Sequence, residues 1–184
     1  MKYLINTIFT IIAAIFITSA SAQTKPTGPV LKFEVNGKPV SFKSDELVNY
    51  NQFVPGDENE TSGNKHVFTV TYAPKSPYTL QIIIYTPPHT NPTVGKLPFV
   101  QGVLLRSGDP CPAVYLNLSK QVGKEYEFYS AKLPNSGSFE ITKVAAGWVE
   151  GKFALDMSDQ FEDDGEVLHI TNGTFRFKIE KEEK

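Results

Sequence analysis

Three histidines, His66, His89 and His169, one cysteine, Cys111, and an acidic run of Asp156, Asp159, Glu162, Asp163, Asp164 and Glu166 are the residues whose chemistry could serve a metal or an acid–base reaction. The histidines and the cysteine are scattered, with no pair at the close spacing of zinc ligands. Laid over the acidic run, the calcium-loop pattern puts Gln160, Glu162, Asp164 and Gly165 at its first, third, fifth and sixth positions, but Thr171 where the bidentate glutamate belongs. The run is therefore predicted to be a solvated hairpin loop, and no cofactor is expected. The sequence has no G-x-S-x-G elbow and no glycine-rich phosphate cradle. The expectation is a protein that is not an enzyme. A glycoside hydrolase, whose paired carboxylates are set by the fold rather than by spacing, is the less favoured alternative.

Aromatic side chains offer a different chemistry, since rings on the wet face of a sheet stack against sugars and hold partner proteins. Tyr115, Tyr129 and Trp148 each fall opposite the main apolar row of their own strand. They are the expected ligand-binding residues, with a glycan or an envelope protein as the expected partner. Cys111 lies between Pro110 and Pro112 with no cationic neighbour in sequence. It is expected to be an unreactive thiol.

The elements that must position these residues are strands. At 138–144, 148–157 and 167–179 apolar residues recur with a period of two, the mark of half-buried strands. Leu168 and Ile170 are even-numbered, whereas Phe175, Phe177 and Ile179 are odd-numbered. A bulge at Asn172-Gly173 is predicted to restore the register, because a slip of one residue would turn every side chain over. Gly151 shares the inner face with Phe153 and Leu155, and is expected to leave room for a ring such as Phe175 or Phe177. Nearer the start, Leu31, Phe33 and Val35 lead to Asn36-Gly37, and Val40 and Phe42 lead away, which predicts a type I′ hairpin pairing Phe33 with Val40. Further strands are expected around His66 to Tyr72 and at 80–85, 99–105, 113–118 and 125–131, with 86–98 a proline-rich loop and 43–53 a short helical turn or irregular strand. No stretch carries a sustained helical stripe. About ten short strands predict an all-β fold, an antiparallel β-sandwich or, alternatively, a closed calycin-like β-barrel that would hold a small apolar ligand.

Before the domain, Lys2 precedes an apolar run at 4–17 and the small residues Ala20-Ser21-Ala22, the pattern of a secretory signal peptide cut between Ala22 and Gln23. The run is shorter than the roughly 20 residues of a membrane span. Gln23 stands where a lipoprotein would need cysteine. The expected organisation is a signal peptide at 1–22, a tether at 23–29, one β domain at 30–180 and a charged tail at 181–184. The expected address is the periplasm or the medium, with no membrane anchor after cleavage. Without the leader and its Lys2, 17 basic residues face 20 acidic ones. A chain so near neutrality lacks the basic stripe that nucleic acid requires. Its single cysteine closes no internal disulfide, so the core must supply the stability.

The motifs Asn135-Ser136-Gly137-Ser138-Phe139-Glu140-Ile141-Thr142, Gly151-Lys152-Phe153 and Leu168-His169-Ile170-Thr171-Asn172-Gly173-Thr174-Phe175, together with the Asn36-Gly37 opening, give the chain a likeness. It resembles a group of small exported β-rich domains of unknown function from Gram-negative bacteria, which share a G-x-F strand followed by a strand ending in N-G-x-F. The resemblance implies an exported β domain and assigns no catalytic residues.

Overall fold

Alternating apolar side chains and tight turns fold the described residues into eleven strands joined in one antiparallel sheet: β1 (Val30–Val35), β2 (Lys38–Ser41), β3 (Leu47–Val54), β4 (Gly63–Val70), β5 (Tyr78–Thr86), β6 (Gly95–Leu97), β7 (Ala113–Val122), β8 (Glu125–Ala131), β9 (Gly137–Ala145), β10 (Trp148–Asp159) and β11 (Val167–Lys178). The computed structural model describes residues 27–71, 73–134, 136–161 and 165–180. The expected leader, its Ala22–Gln23 cut, most of the tether and the tail at 181–184 lie outside the described residues. The backbone order is β2-β1-β11-β10-β8-β7-β5-β4-β3, with β9 paired to β10 and β6 to β9. The sheet curls into an open half-barrel, an all-β form lying between the expected sandwich and the expected closed barrel.

The curl begins at β10. Along one edge this strand pairs first with β9, from Trp148 to Leu155, and then with β8, from Met157 to Asp159. Its other edge pairs throughout with β11. The sheet therefore forks into two wings that fold over a common core. Phe68 of β4 stacks on Phe177 of β11 at 5.3 Å between ring centroids, although the two strands share no ladder. Beside them Asn49 Nδ2 of β3 donates to the Lys178 carbonyl at 2.6 Å.

The short-range signals hold. Asn36 and Gly37 take φ of 50° and 75°, and Phe33 pairs with Val40. In β11 the pairing with both β10 and β1 shifts by one residue around Thr171–Gly173, with Asn172 at φ 51°, so the bulge sits where the parity switch requires it. Phe139, Phe153, Phe175 and Phe177 fill the interior as a chain of ring contacts. A Cβ at Gly151 would run into the Phe175 ring and the Glu140 carbonyl.

Two expectations in the middle of the chain are corrected. Residues 99–105 do not form a strand. Phe99 makes one isolated bridge to Val114, after which the segment leaves the sheet as Val100 and Leu105 turn down onto Val67, Ile83, Tyr85, Ala113 and Tyr115. These residues build a second, smaller core on the outer face of β4, β5 and β7, and the strand-like apolar pattern served that packing instead of a ladder. Burial there pushes the Tyr85 hydroxyl well above the ordinary tyrosine range, and it donates to the Gly102 carbonyl. Conversely the proline-rich segment 86–98 contains β6, whose Leu97 sits opposite Phe139 and joins the main core. The irregular stretch after Phe42 resolves into a 3-10 turn at Ser44–Glu46 followed by β3.

Where the inner face of the β7–β8 hairpin reaches its rim, Lys120 and Glu127 are register partners and close the interior with charge. Lys120 Nζ lies 2.6 Å from Glu166 and 3.0 Å from Glu127, while the Tyr129 hydroxyl donates to Glu127 at 2.6 Å and lies 3.2 Å from Glu166. The hydrogen bond to Glu166 raises the Lys120 pKa, burial raises that of Tyr129, and the bonds from Tyr129 and then Lys120 lower that of Glu127. A lowered carboxylate contributes stability above its unfolded pKa of about 4.3, and that contribution is lost as pH falls through the folded value. A raised lysine or tyrosine contributes below its unfolded value, about 10.4 or 10, and the contribution is lost as pH rises towards the folded one. Thermal melts from pH 3 to 11 should therefore show stability falling at both ends. Lys120→Met should flatten the alkaline limb, and a limb of unchanged slope would show that the cluster is screened by solvent.

Candidate functional site

The outer face of the β4-β5-β7-β8-β10 wing follows from register. Paired residues point the same way, so Thr69, Gln81, Asn117, Ser130 and Ser158, each paired with the next, form one row across the strands. A second row runs through Thr79, Ser119 and Phe128, and Gln121 and Tyr126 follow nearer the hairpin tip. None of these positions is charged, in a chain in which 21% of residues are. The row residues are partly exposed, and among the described residues the side chains of Gln81, Ser130 and Ser158 have no hydrogen-bond partner. Thr79 and Ser119 share a hydrogen bond between their hydroxyls.

At the β10 end the row runs into a recess of about 350 Å³ lined by Gln101, Gly102, Tyr115, Ser130, Ser158, Asp159 and Gln160. Its shape comes from the way β10 ends. Gln160 N–H donates to the Phe128 carbonyl at 2.9 Å, continuing the pairing with β8 past Asp159. The Gln160 side chain then donates to the Tyr115 hydroxyl and to Asn117 Oδ1, each at 3.3 Å. Asp159 Oδ1 accepts from the Phe161 N–H at 2.7 Å, an Asx turn that swings the next ring round. Phe161, 81% exposed, meets Phe128 edge-to-face at 6.3 Å. An exposed ring pair thus borders a polar recess at the end of an uncharged row. Burial raises the Tyr115 pKa, partly offset by the Gln160 hydrogen bond, so the hydroxyl facing the recess is protonated near neutrality.

The aromatic residues expected from sequence are not brought together. Tyr115 is buried in the second core and only its hydroxyl reaches the recess. Tyr129 is 1% exposed and lies in the main core, opposite Leu118. Trp148 stands at the far end of β10, its ring covered by the Arg176 guanidinium at 3.5 Å, which also reaches Glu150 and the Gly28 carbonyl. The shared wet face expected for the three is therefore corrected. Among the described residues the exposed rings on β4, β5, β7, β8 and the end of β10 are Tyr126, Phe128 and Phe161, with Tyr50 on the neighbouring β3. A signal for them was present: a two-residue turn at Gly123-Lys124 pairs Val122 with Glu125, and counting back sets Tyr129 against Leu118, inside, and Phe128 against Ser119, outside.

For hydrolysis of a glycosidic bond two carboxylates must flank the scissile bond. Among the described residues lining the recess the carboxylate is Asp159. Among the described residues no group of histidine, cysteine, aspartate and glutamate is placed to hold a metal ion. His66 is buried, its Nε2 lying 3.1 Å from Thr86 Oγ1 and 3.2 Å from the Thr90 carbonyl, where it ties down the loop after β5. His89 stacks on Phe53, and His169 pairs with Asp156 at 2.7 Å. Burial raises the Cys111 thiol. A second cavity of about 260 Å³ opens at the end of the half-barrel between Ile84, Leu97, Ile141 and the prolines 87, 92 and 112. The chain matches no family profile, no curated protein and no solved structure.

Proposed function

We propose that the protein is an exported, non-catalytic module that binds a neutral glycan on the outer face of the β4–β10 wing. The observation that carries this is the pair of uncharged rows, the first running into the recess and the second ending at Phe128, which meets Phe161. Amides and hydroxyls exchange hydrogen bonds with sugar hydroxyls, directly or through water, and an exposed ring stacks on the apolar C–H face of a pyranose. Among the described residues lining the recess Asp159 is the carboxylate, which supports binding over hydrolysis. A second reading, a small apolar ligand, has the cavity beside Ile141 in its favour, but at about 260 Å³ it falls below the roughly 300 Å³ usual for such sites.

The test is a glycan array of neutral and charged members, followed by calorimetry on the best binder. Intrinsic fluorescence is a poor reporter, since Trp148 stands about 30 Å along β10 from Ser158. With Phe128 and Phe161 both changed to Ala, affinity should fall about tenfold or more, roughly 1.4 kcal/mol. The melting temperature should hardly move, because exposed rings leave no cavity. Absence of binding to every glycan, or undiminished binding by the double variant, would overturn the proposal.

A further inference from the structure

The register of the row says more about the ligand than its chemistry alone. Thr69, Gln81, Asn117, Ser130 and Ser158 stand one to a strand on β4, β5, β7, β8 and β10. Their spacing is therefore that of neighbouring strands, about 4.8 Å, close to the length of one pyranose unit in an extended chain. The second row, Thr79, Ser119 and Phe128, lies two residues along the strands, about 7 Å away, so the two rows are separated by roughly the width of a sugar ring. At one end the track closes in the recess, where Ser130 and Ser158 are joined by the Tyr115 hydroxyl, Gln101, Gln160 and Asp159. Such a recess surrounds the last two units, at β8 and β10, with donors and acceptors, whereas the open row meets each unit on one side.

Building on the glycan reading, we infer that the ligand is an extended β-linked neutral polysaccharide lying across the strands, one unit per strand, with its last two units in the recess. A flat, ribbon-like β-linked chain stays in contact with consecutive strands, while an α-1,4-linked chain coils away after a few units. Neutrality follows from the track itself: among the described residues of the two rows none is a cation, and at the recess a uronic acid or sulfated chain would meet Asp159.

The experiment is calorimetry of the purified protein with β-1,4-linked ladders of glucose, mannose, xylose and N-acetylglucosamine, one to eight units long, and with α-1,4-linked glucose ladders of the same lengths. For at least one β-linked sugar, affinity should climb several-fold with each added unit and level off at about five units, the number set by strand spacing. The α-linked ladder should show no such climb. Gln81→Asp, at a partly exposed position away from the recess, should weaken the five-unit ligand at least tenfold while leaving the fold intact by thermal melt. Binding that is independent of length, or equal for the two linkages, would overturn the extended track and leave the broader glycan reading standing. An array showing binding only to charged glycans, together with silence from all four β-linked ladders, would overturn the neutral-glycan reading as well. Absence of binding to every glycan would remove both.

Discussion

Phe175→Ala is expected to lower stability by about 3–5 kcal/mol, and Gly151→Val by an amount at the upper end of about 1–3 kcal/mol. Together the two should lose at least about 1 kcal/mol less than their sum. The ring of Phe175 is 2% exposed and stacks on Phe139 at 4.9 Å, so its removal opens a cavity in the most aromatic part of the core. Gly151 lies beneath the same ring, as its register partner across β10 and β11. Valine there must displace Phe175, and with the ring gone its methyl groups refill part of the cavity. The compensation is partial, because a Cβ at 151 also meets the Glu140 carbonyl, which the ladder to β9 holds in place. Urea melts of the wild type, both single variants and the double variant measure the coupling. Strict additivity would show that the core relaxes by another route.

Phe177→Ala should be as damaging, again about 3–5 kcal/mol, and should also alter the shape of the transition. Its stack on Phe68 joins β11 to β4 across the mouth of the half-barrel, where the backbone offers no ladder. Both rings are fully buried, at 0% and 1% exposure for Phe68 and Phe177. With the pair broken, the wing that runs from β8 to β3 remains hydrogen-bonded within itself and to the C-terminal end of β10, but it loses its grip on the opposite wing. Unfolding followed by far-ultraviolet circular dichroism should then lag behind unfolding followed by near-ultraviolet signals, two curves that coincide for a two-state domain. Phe177→Leu, which keeps most of the volume, should restore coincidence and most of the stability. A clean two-state Ala variant would mean that β10 and the Asn49–Lys178 hydrogen bond suffice to couple the wings.

The parts of this architecture legible in the sequence are those fixed by neighbours along the chain. Asn36-Gly37 specifies its hairpin because two consecutive residues must take positive φ, and Asn172-Gly173 shows its bulge because the parity of apolar residues changes there. Gly151 beneath a ring was legible because a missing side chain on an inner face needs a large neighbour. The site was less legible. Whether Tyr129 or Phe128 points inward depends on pairing with β7, and aromatic residues at 126, 128 and 129 place rings on both faces of one strand. The segment at 99–105 has the apolar content of a strand and spends it on a second core, a choice set by the outer face of strands distant in sequence. The polar row is invisible along the chain, since its members come from five strands and none stands out where it occurs.

The position of β11 bears on how the protein is made. β11 lies between β1 and β10, so β1 finds one of its two partners only when residues 167–178 have been synthesised. A nascent chain lacking those residues cannot bury Leu31, Phe33 and Val35 against Ile170 and Phe175, and it cannot pin one wing to the other through Phe177. Folding therefore waits until β11 has been synthesised, with long-range pairing as its slow step. Until then the polypeptide stays threadable, and its apolar strands are open to whatever chaperone meets them first.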